Sequence, residues 1–308
     1  MTAKFVIGID LGEINLKISH LNRNYKIISK RILSTRNYSA RSQLISAIAD
    51  SVGIVLADNK LNLRQVCAVG IGLPGPVDAQ AGLVHFFPNI PGWKNVNLKK
   101  ILEKKIRIPV RLDNDANLMS LAEYRLGAAK GADNAMCLTL GTGVGAGIII
   151  QNKLYRGSSF AAGELGHLPV NIFGPKCNCG GIACLEAYIG NNRIMQKVEK
   201  EFGRKIALEE LSRMANHGNK KAQKIWDDVG LYLGRALVAV VNLLNLEKIV
   251  IGGGIAEAGE LIFKKVRKVV SEQAMPVQAK RVKILRAKLG SDAGMIGAAI
   301  FAREGSSV

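Results

Sequence analysis

The chain has 308 residues, 48% of them hydrophobic and 33 of them glycine, which is enough for one large domain or two ordinary ones and excludes a disordered or fibrous protein. Lys and Arg outnumber Asp and Glu 43 to 24, a formal charge of +19 that favours anionic partners. The basic residues are scattered at helical spacing beside apolar positions, as on solvated helix faces, so the charge permits an anionic substrate without identifying one.

From the N-terminus, "MTAK" leads straight into a strand with no signal-peptide pattern, and no apolar run reaches the ~18 residues of a membrane helix. A cytoplasmic protein with no membrane partner is expected. Strands are expected at 4–10, 15–21, 25–33, 66–72 and 108–113, and helices near 39–57 and 97–105. The segments "GIGLPGPVD" and "FPNIPGW" read as loops after strands. The pattern then restarts, with a helix through "ANLMSLAEYRLGAA" and strands at 135–141, 145–151 and 153–155. A Gly- and Cys-rich irregular segment covers 156–184, and helices follow at about 186–202, 207–216 and 219–245. The strand "KIVIGGG", a helix over about 258–272, a strand near 282–286 and a helix from Ala293 to about Arg303 complete the order. "FVIGIDLGEINLKIS" and "AMCLTLGTGVGAGIII" are both strand, glycine turn, strand, and each opens one half of the chain. The two are copies of one α/β unit, setting two glycine turns against one ligand, or two unrelated hairpins.

Four stretches carry chemistry. In "LGTGVGAG", glycines at 141, 143 and 145 frame Thr142, so backbone N–H groups and a hydroxyl can approach an anion. "IGGGIAEAGE" joins a strand to a helix start, a weaker phosphate or adenosine signal. "RLDNDANLMSLAE" crowds Asp113, Asn114, Asp115 and Asn117 at a strand-to-helix junction, more than one N-cap requires. An Asp there can accept a proton from a hydroxyl attacking a phosphoryl group. In "GELGHLPVNIFGPKCNCGGIACLEA", His167, Cys177, Cys179 and Cys184 form a closed set of one imidazole and three thiolates, suited to structural zinc. Glu164 and Glu186 flank that set; ionised carboxylates only accept hydrogen bonds, so the pair suits a donor-rich ligand such as a sugar.

At these residues the chain resembles the ROK family of sugar kinases and repressors, within the two-lobed, actin-like ATPase fold of hexokinase type. The resemblance covers nearly the whole chain and rests on Glu-x-Gly-His at 164–167, the cysteine motif ending at Glu186, Asn-Asp-Ala-Asn at 114–117, "PNIPGW", "GTGVGAG", the glycines at 252–254 and "GSDAGMIGAA". It implies an N-terminal lobe of 1–116 with 292–308 and a C-terminal lobe of 117–291 carrying the zinc loop, the two closing over hexose and MgATP. By the same resemblance Asp115 is the catalytic base, and Asn89, Asn114, Glu164, His167 and Glu186 bind the sugar, with His167 also on zinc. Asp10 holds magnesium, Gly12, Thr142 and Gly143 approach the phosphates, and Gly253 and Gly254 meet the adenosine. A homodimer is implied. Family repressors carry a DNA-binding domain before the first strand; here that strand starts at residue 4, so no nucleic-acid partner is expected.

The chain departs from the family pattern in one place that matters. Kinases of the family usually read Asp-x-Gly-Gly-Thr or Asp-x-Gly-Ala-Thr, where this chain has Glu13 and Ile14. A lost Thr hydroxyl forfeits about 1.5–3 kcal/mol of hydrogen bonding to a charged phosphate. Ala183, where glycine is common, touches no ligand. The expected activity is ATP-dependent phosphorylation of a hexose at the 6-hydroxyl, glucose first. The alternatives are a kinase for N-acetylmannosamine, N-acetylglucosamine or fructose, one using polyphosphate, or a non-catalytic sugar-binding protein of the same fold, the last favoured by Glu13 and Ile14.

Overall fold

A computed structural model of the chain describes residues 4–12, 14–87 and 92–305. The departure at Glu13 and the expected sugar ligand Asn89 lie outside those residues. The architecture is mixed α/β, with two five-stranded sheets built to one plan. In the first, β1 (Phe5–Leu11), β2 (Asn15–Leu21) and β3 (Ile27–Ser34) form an antiparallel meander. Strands β4 (Val66–Leu73) and β8 (Val110–Asn114) add in parallel on the far side of β1, giving the order β3-β2-β1-β4-β8. The second sheet repeats this with β9 (Ala135–Leu140), β10 (Val144–Ile150), β11 (Lys153–Tyr155), β12 (Lys248–Gly252) and β13 (Lys283–Arg286), in the order β11-β10-β9-β12-β13. Here too β12 runs parallel to β9 and to β13. The repeat expected from the two glycine turns is therefore one of topology.

Three features were not expected from sequence. A small antiparallel sheet of β5 (Val77–Asp78), β6 (Leu83–Phe86) and β7 (Lys94–Val96) lies in the Gly/Pro-dense region. A short helix, α9 (Pro276–Arg281), follows Met275. The helix expected over 186–202 is two: α4 (Glu186–Ile189) and α5 (Asn191–Phe202), broken where Gly190 takes the extended ψ of 147°. The other expected helices are α1 (Arg41–Asp58), α2 (Leu98–Ile106), α3 (Asp115–Leu126), α6 (Leu208–Asn216), α7 (Lys220–Leu244), α8 (Glu260–Gln273) and α10 (Ala293–Glu304).

The chain divides into two compact units, one of Met1–Gly127, Gly147–Ala162 and Ser291–Val308, the other of Ala128–Ala146 and Gly163–Gly290. The sequence-based lobes put α3 and residues 147–162 with the C-terminal part. Here both group with the first unit: α3 packs along α10, and residues 147–162 bring Gly147 against Ser120 of α3 and Arg156 onto Asp113. The core of that unit comes from the apolar faces of β1, β4, β8 and α1. Helix α10 is buried on nearly all sides, from Ala293 through Ala302 with only Gly294 less so, and it packs on β1, β4, β8 and α3. That approach is backbone to backbone. A Cβ on Gly8 would come within 2.0 Å of the Met295 carbonyl oxygen, and one on Gly70 within 1.8 Å of that of Ala298. In the second unit α7 and α8 pack together, with Gly230 and Gly234 admitting Lys265 and Val269.

Gly297 tests this packing. Its missing Cβ would stand 1.7 Å from the Leu118 carbonyl oxygen of α3, so Gly297→Ala must force the two helices apart. A destabilisation of at least about 3 kcal/mol, the upper end for overpacked cores, is expected in denaturant unfolding.

Candidate active site

In open α/β sheets, ligands meet the carboxyl ends of parallel strands. In the first unit those ends carry Asp10 on β1 and the Asp113–Asp115 segment on β8, with Gly72 on β4 between them in register. Lys17 stands directly opposite Asp10 across the β1–β2 ladder, and its Nζ donates to Asp10 Oδ2 at 3.2 Å and to the Ser291 carbonyl at 3.3 Å. The start of α10 closes on the same carboxylate. A Cβ on Gly294 would sit 2.6 Å from Asp10 Cγ, so the positive end of the helix lies against the acid. Gly12 donates its N–H to the Asn15 carbonyl at 2.9 Å, which commits that amide to the turn itself. Ile14 is exposed, and its carbonyl accepts the Thr35 N–H.

The β8–α3 junction is built by capping and by one buried ion pair. Asn114 is the N-cap of α3; its Oδ1 accepts from the N–H groups of Ala116 and Asn117 at 2.9 and 3.2 Å. Asp115, half-buried in the first turn, accepts from the Ala116 N–H through Oδ1 at 2.8 Å, which fixes its carboxylate at the junction. Asp113 is buried, only 1% exposed, and receives the Arg156 Nε at 2.7 Å, the Asn117 amide at 3.1 Å and the Asn114 N–H at 2.7 Å. The Arg156 guanidinium lies over the Phe301 ring of α10. Burial pushes the Asp113 carboxyl up, against the pull of Arg156 and Asn117.

The second unit holds the other candidate residues. The turn between β9 and β10 is closed by the Gly141 N–H donating to the Gly143 carbonyl at 2.9 Å, with Thr142 exposed at its tip. Gly253, at the end of β12, has φ +89°, and a Cβ there would collide with Leu140 just before the turn, so glycine is required on both counts. At Gly254 a Cβ would meet nothing.

The four expected metal ligands come together. His167, Cys177, Cys179 and Cys184 place one ligand atom each within 4.8 Å of one another. Cys177 Sγ lies 3.7 Å from His167 Nδ1, and Cys179 Sγ lies 3.7 Å from Cys184 Sγ. Zinc–sulfur bonds of about 2.3 Å at a tetrahedral angle put two sulfurs about 3.8 Å apart, so the donor set and its spacing fit zinc. Gly180 makes the sharp turn at φ +92°, and the Cys177 N–H donates to the Gly181 carbonyl at 2.8 Å. Ala183 also takes a left-handed φ of 55°, held by its N–H on the Pro175 carbonyl and its own carbonyl on the Val170 N–H. Burial pushes the Cys184 thiol up to about 12, whereas hydrogen bonding from the Gly181 backbone lowers Cys179; a cation would favour the ionised form of all the thiols. Glu164 is exposed and brings Oε2 to 3.8 Å from His167 Nε2, the nitrogen facing away from the cysteines. Glu186 Oε2 accepts from the Val144 N–H at 2.9 Å.

Sequence reasoning missed Lys17, Gly294 and Arg156. Only Lys17 had a readable signal, since a tight turn after Gly12 sets residue 17 opposite residue 10.

The family model described as "ROK family" matches residues 6–305. A glucokinase of Halalkalibacterium halodurans is 32% identical over 96% of this chain and 94% of its own length. A xylose repressor of Caldicellulosiruptor bescii is 29% identical over 95% of this chain but 76% of its own length. The crystal structure of a ROK family glucokinase from Streptomyces griseus in complex with glucose and AMPPNP superposes with a TM-score of 0.84 at 31% identity, covering 98% of this chain and 100% of that one.

The buried pair yields a pH-dependent prediction. Arg156→Ala leaves Asp113 buried without its cation and should destabilise the protein by about 3–5 kcal/mol at neutral pH. In that variant the folded-state pKa of Asp113, already raised, rises further above its unfolded value. The folded state then binds the extra proton, so the deficit should be smallest below about pH 4 and grow as pH rises. Thermal melts of wild type and variant between pH 4 and 8 read this directly.

Proposed function

The chain belongs to the ROK family, and from that premise we propose that it is a sugar kinase transferring the γ-phosphoryl group of ATP to the 6-hydroxyl of a hexose, glucose first. The carrying observation is Asp115: a half-buried carboxylate fixed at the N-terminus of α3 at the carboxyl end of a parallel strand. The sugar O6 attacks the γ-phosphorus, the bond to the bridging oxygen of ADP breaks, and the hydroxyl proton passes to Asp115. Asn89, Asn114, Glu164, His167 and Glu186 are the sugar ligands on this reading. His167 suits a double role, since Nδ1 faces the cysteines and Nε2 faces Glu164.

Thr142 and Gly143 are assigned to the phosphates with Gly12, and Gly253 and Gly254 to the adenosine. Asp10 would hold magnesium, which supplies charge neutralisation of the phosphates when bound. Zinc held by His167, Cys177, Cys179 and Cys184 would be structural, since four protein donors would leave it no open position. We further assign the protein to the cytoplasm as a homodimer, the latter checked by light scattering. The two units, with their boundary at α3 and β10, are taken as the lobes of the kinase.

Ile14 supports the second reading, a sugar-binding protein without turnover, because no hydroxyl stands at that position. A coupled assay separates the two. Glucose, N-acetylmannosamine, N-acetylglucosamine and fructose are each offered with MgATP or polyphosphate. Turnover with glucose and MgATP is expected, while sugar-induced thermal stabilisation with no turnover on any pairing would favour the second reading.

Asp115→Ala should lower kcat by about 10²- to 10⁴-fold, the usual contribution of a positioned base, with metal content unchanged. Normal transfer by that variant would move the base elsewhere. Stripping the metal with a chelator should lower the melting temperature, and zinc should restore it at one ion per chain. A Cys179→Ser variant that melts like wild type and retains no metal would show the site to be dispensable for folding.

A further inference from the structure

Glu186 does more in this structure than face a sugar. It is the first residue of α4, two residues after the expected metal ligand Cys184, and its two carboxylate oxygens can take different partners. The other, Oε2, accepts the N–H of Val144, the residue where the β9–β10 turn re-enters the sheet. Val144 is buried, so this amide has a strong requirement for its acceptor. Gly143 makes the contact possible, since a Cβ there would stand 2.5 Å from Glu186 Oε2.

The same corner grips the other end of the turn. The helix break at Gly190 lets the Asn191 N–H donate to the Gly141 carbonyl at 2.9 Å, and a Cβ on Gly190 would press on the Thr142 carbonyl at 3.0 Å. The segment bearing Glu164 and His167 closes on the same residue, because a Cβ on Gly166 would lie 2.4 Å from the Val144 carbonyl oxygen. The start of α4 is tied back to that segment by the Leu185 N–H on the Leu168 carbonyl at 2.9 Å. The turn of residues 141–144 is therefore clasped by the elements that carry the expected sugar carboxylates.

We propose that Glu186 is a positioning residue for the phosphate turn, one carboxylate oxygen fixing Val144 and the 141–144 backbone for the nucleotide while the other meets the sugar. This rests on the kinase reading above. A sugar hydroxyl on the free oxygen restricts the rotamers of Glu186 to the one that holds Val144, so part of the ordering of the turn is already in place when the nucleotide arrives. Sugar and nucleotide then strengthen each other's binding, and by linkage they do so equally.

The test is calorimetric titration of the sugar-free, full-length, zinc-loaded protein with magnesium and AMPPNP, on wild type, Glu186→Ala, Glu186→Asp and Glu186→Gln. Glu186→Ala and Glu186→Asp, the latter withdrawing the carboxylate from Val144 without removing its charge, should weaken AMPPNP about tenfold or more. Glu186→Gln keeps an oxygen that can accept the Val144 N–H; it should hold AMPPNP within about threefold of wild type while losing glucose affinity about tenfold. Glu186→Asp and Glu186→Gln make the outcome readable even if the alanine variant fails to fold. Unchanged AMPPNP affinity in Glu186→Asp, with wild type binding both ligands, overturns the inference alone. A wild-type chain that binds neither glucose nor AMPPNP removes the kinase reading and this inference with it.

Discussion

The first unit depends on the contact between the backbone of α10 and the backbones of β1 and β4. Side chains cannot fit there, and Gly8 and Gly70 supply the space. With α10 seated on the sheet, its first turn necessarily ends at the carboxyl end of β1, and Gly294 brings it onto the Asp10 carboxylate. Gly297 then seats α3, whose N-terminus carries Asp115. One close approach thus fixes a carboxylate against a helix N-terminus and sets the start of a second helix. Dispersion at such contact is small per atom pair but large over a whole helix face, and it tolerates no added methyl.

The second unit reaches a similar end by different means. Its turn lies on a sheet of the same strand order, but what holds it is the corner between α4 and α5, following a cysteine cluster. The cluster segment, which has little regular structure between Gly163 and Cys184, takes its shape from isolated bridges such as Pro169 with Cys184 and Lys176 with Ile182. A metal on the four ligands would add a side-chain cross-link to the turn and bridge hydrogen bonds that already shape the segment, such as Val170 with Ala183 and Cys177 with Gly181, as structural zinc does in small loops.

Much of this was legible. The repeat of strand, glycine turn and strand announced two sheets of one topology, and ligand type with spacing located the metal cluster. The junction at 113–117 was visible because four polar residues exceed what a cap needs. The hidden part is tertiary. Arg156 and Asp113 are far apart in sequence, and nothing local marks either as a partner. Gly190 looked like one more residue in a helical run; its meaning depends on Gly141, which lies in another element. The sheet of β5, β6 and β7 escaped because strands of two to four residues are too short to show a period, and glycine and proline dominate their surroundings. Gly8 and Gly70 looked like ordinary strand glycines, since sequence alone does not say which helix comes close.

Both glycine turns share a problem of charge. Each sets a carboxylate beside a segment assigned to phosphates, and two like charges 4 Å apart repel by about 4 kcal/mol at the effective dielectric near a protein surface. In each case the carboxylate is already engaged by donors. Asp10 has the Lys17 ammonium and the start of α10, and Glu186 has the Val144 amide. A carboxylate held in this way orients a cation or a hydroxyl without presenting a bare negative charge to the phosphates. The first turn lacks a hydroxyl at position 14 but keeps a cation at position 17, directly opposite its acid. The ammonium that faces Asp10 is therefore placed by the β1–β2 register, and a one-residue slip of that register would carry Lys17 to the other face of the sheet.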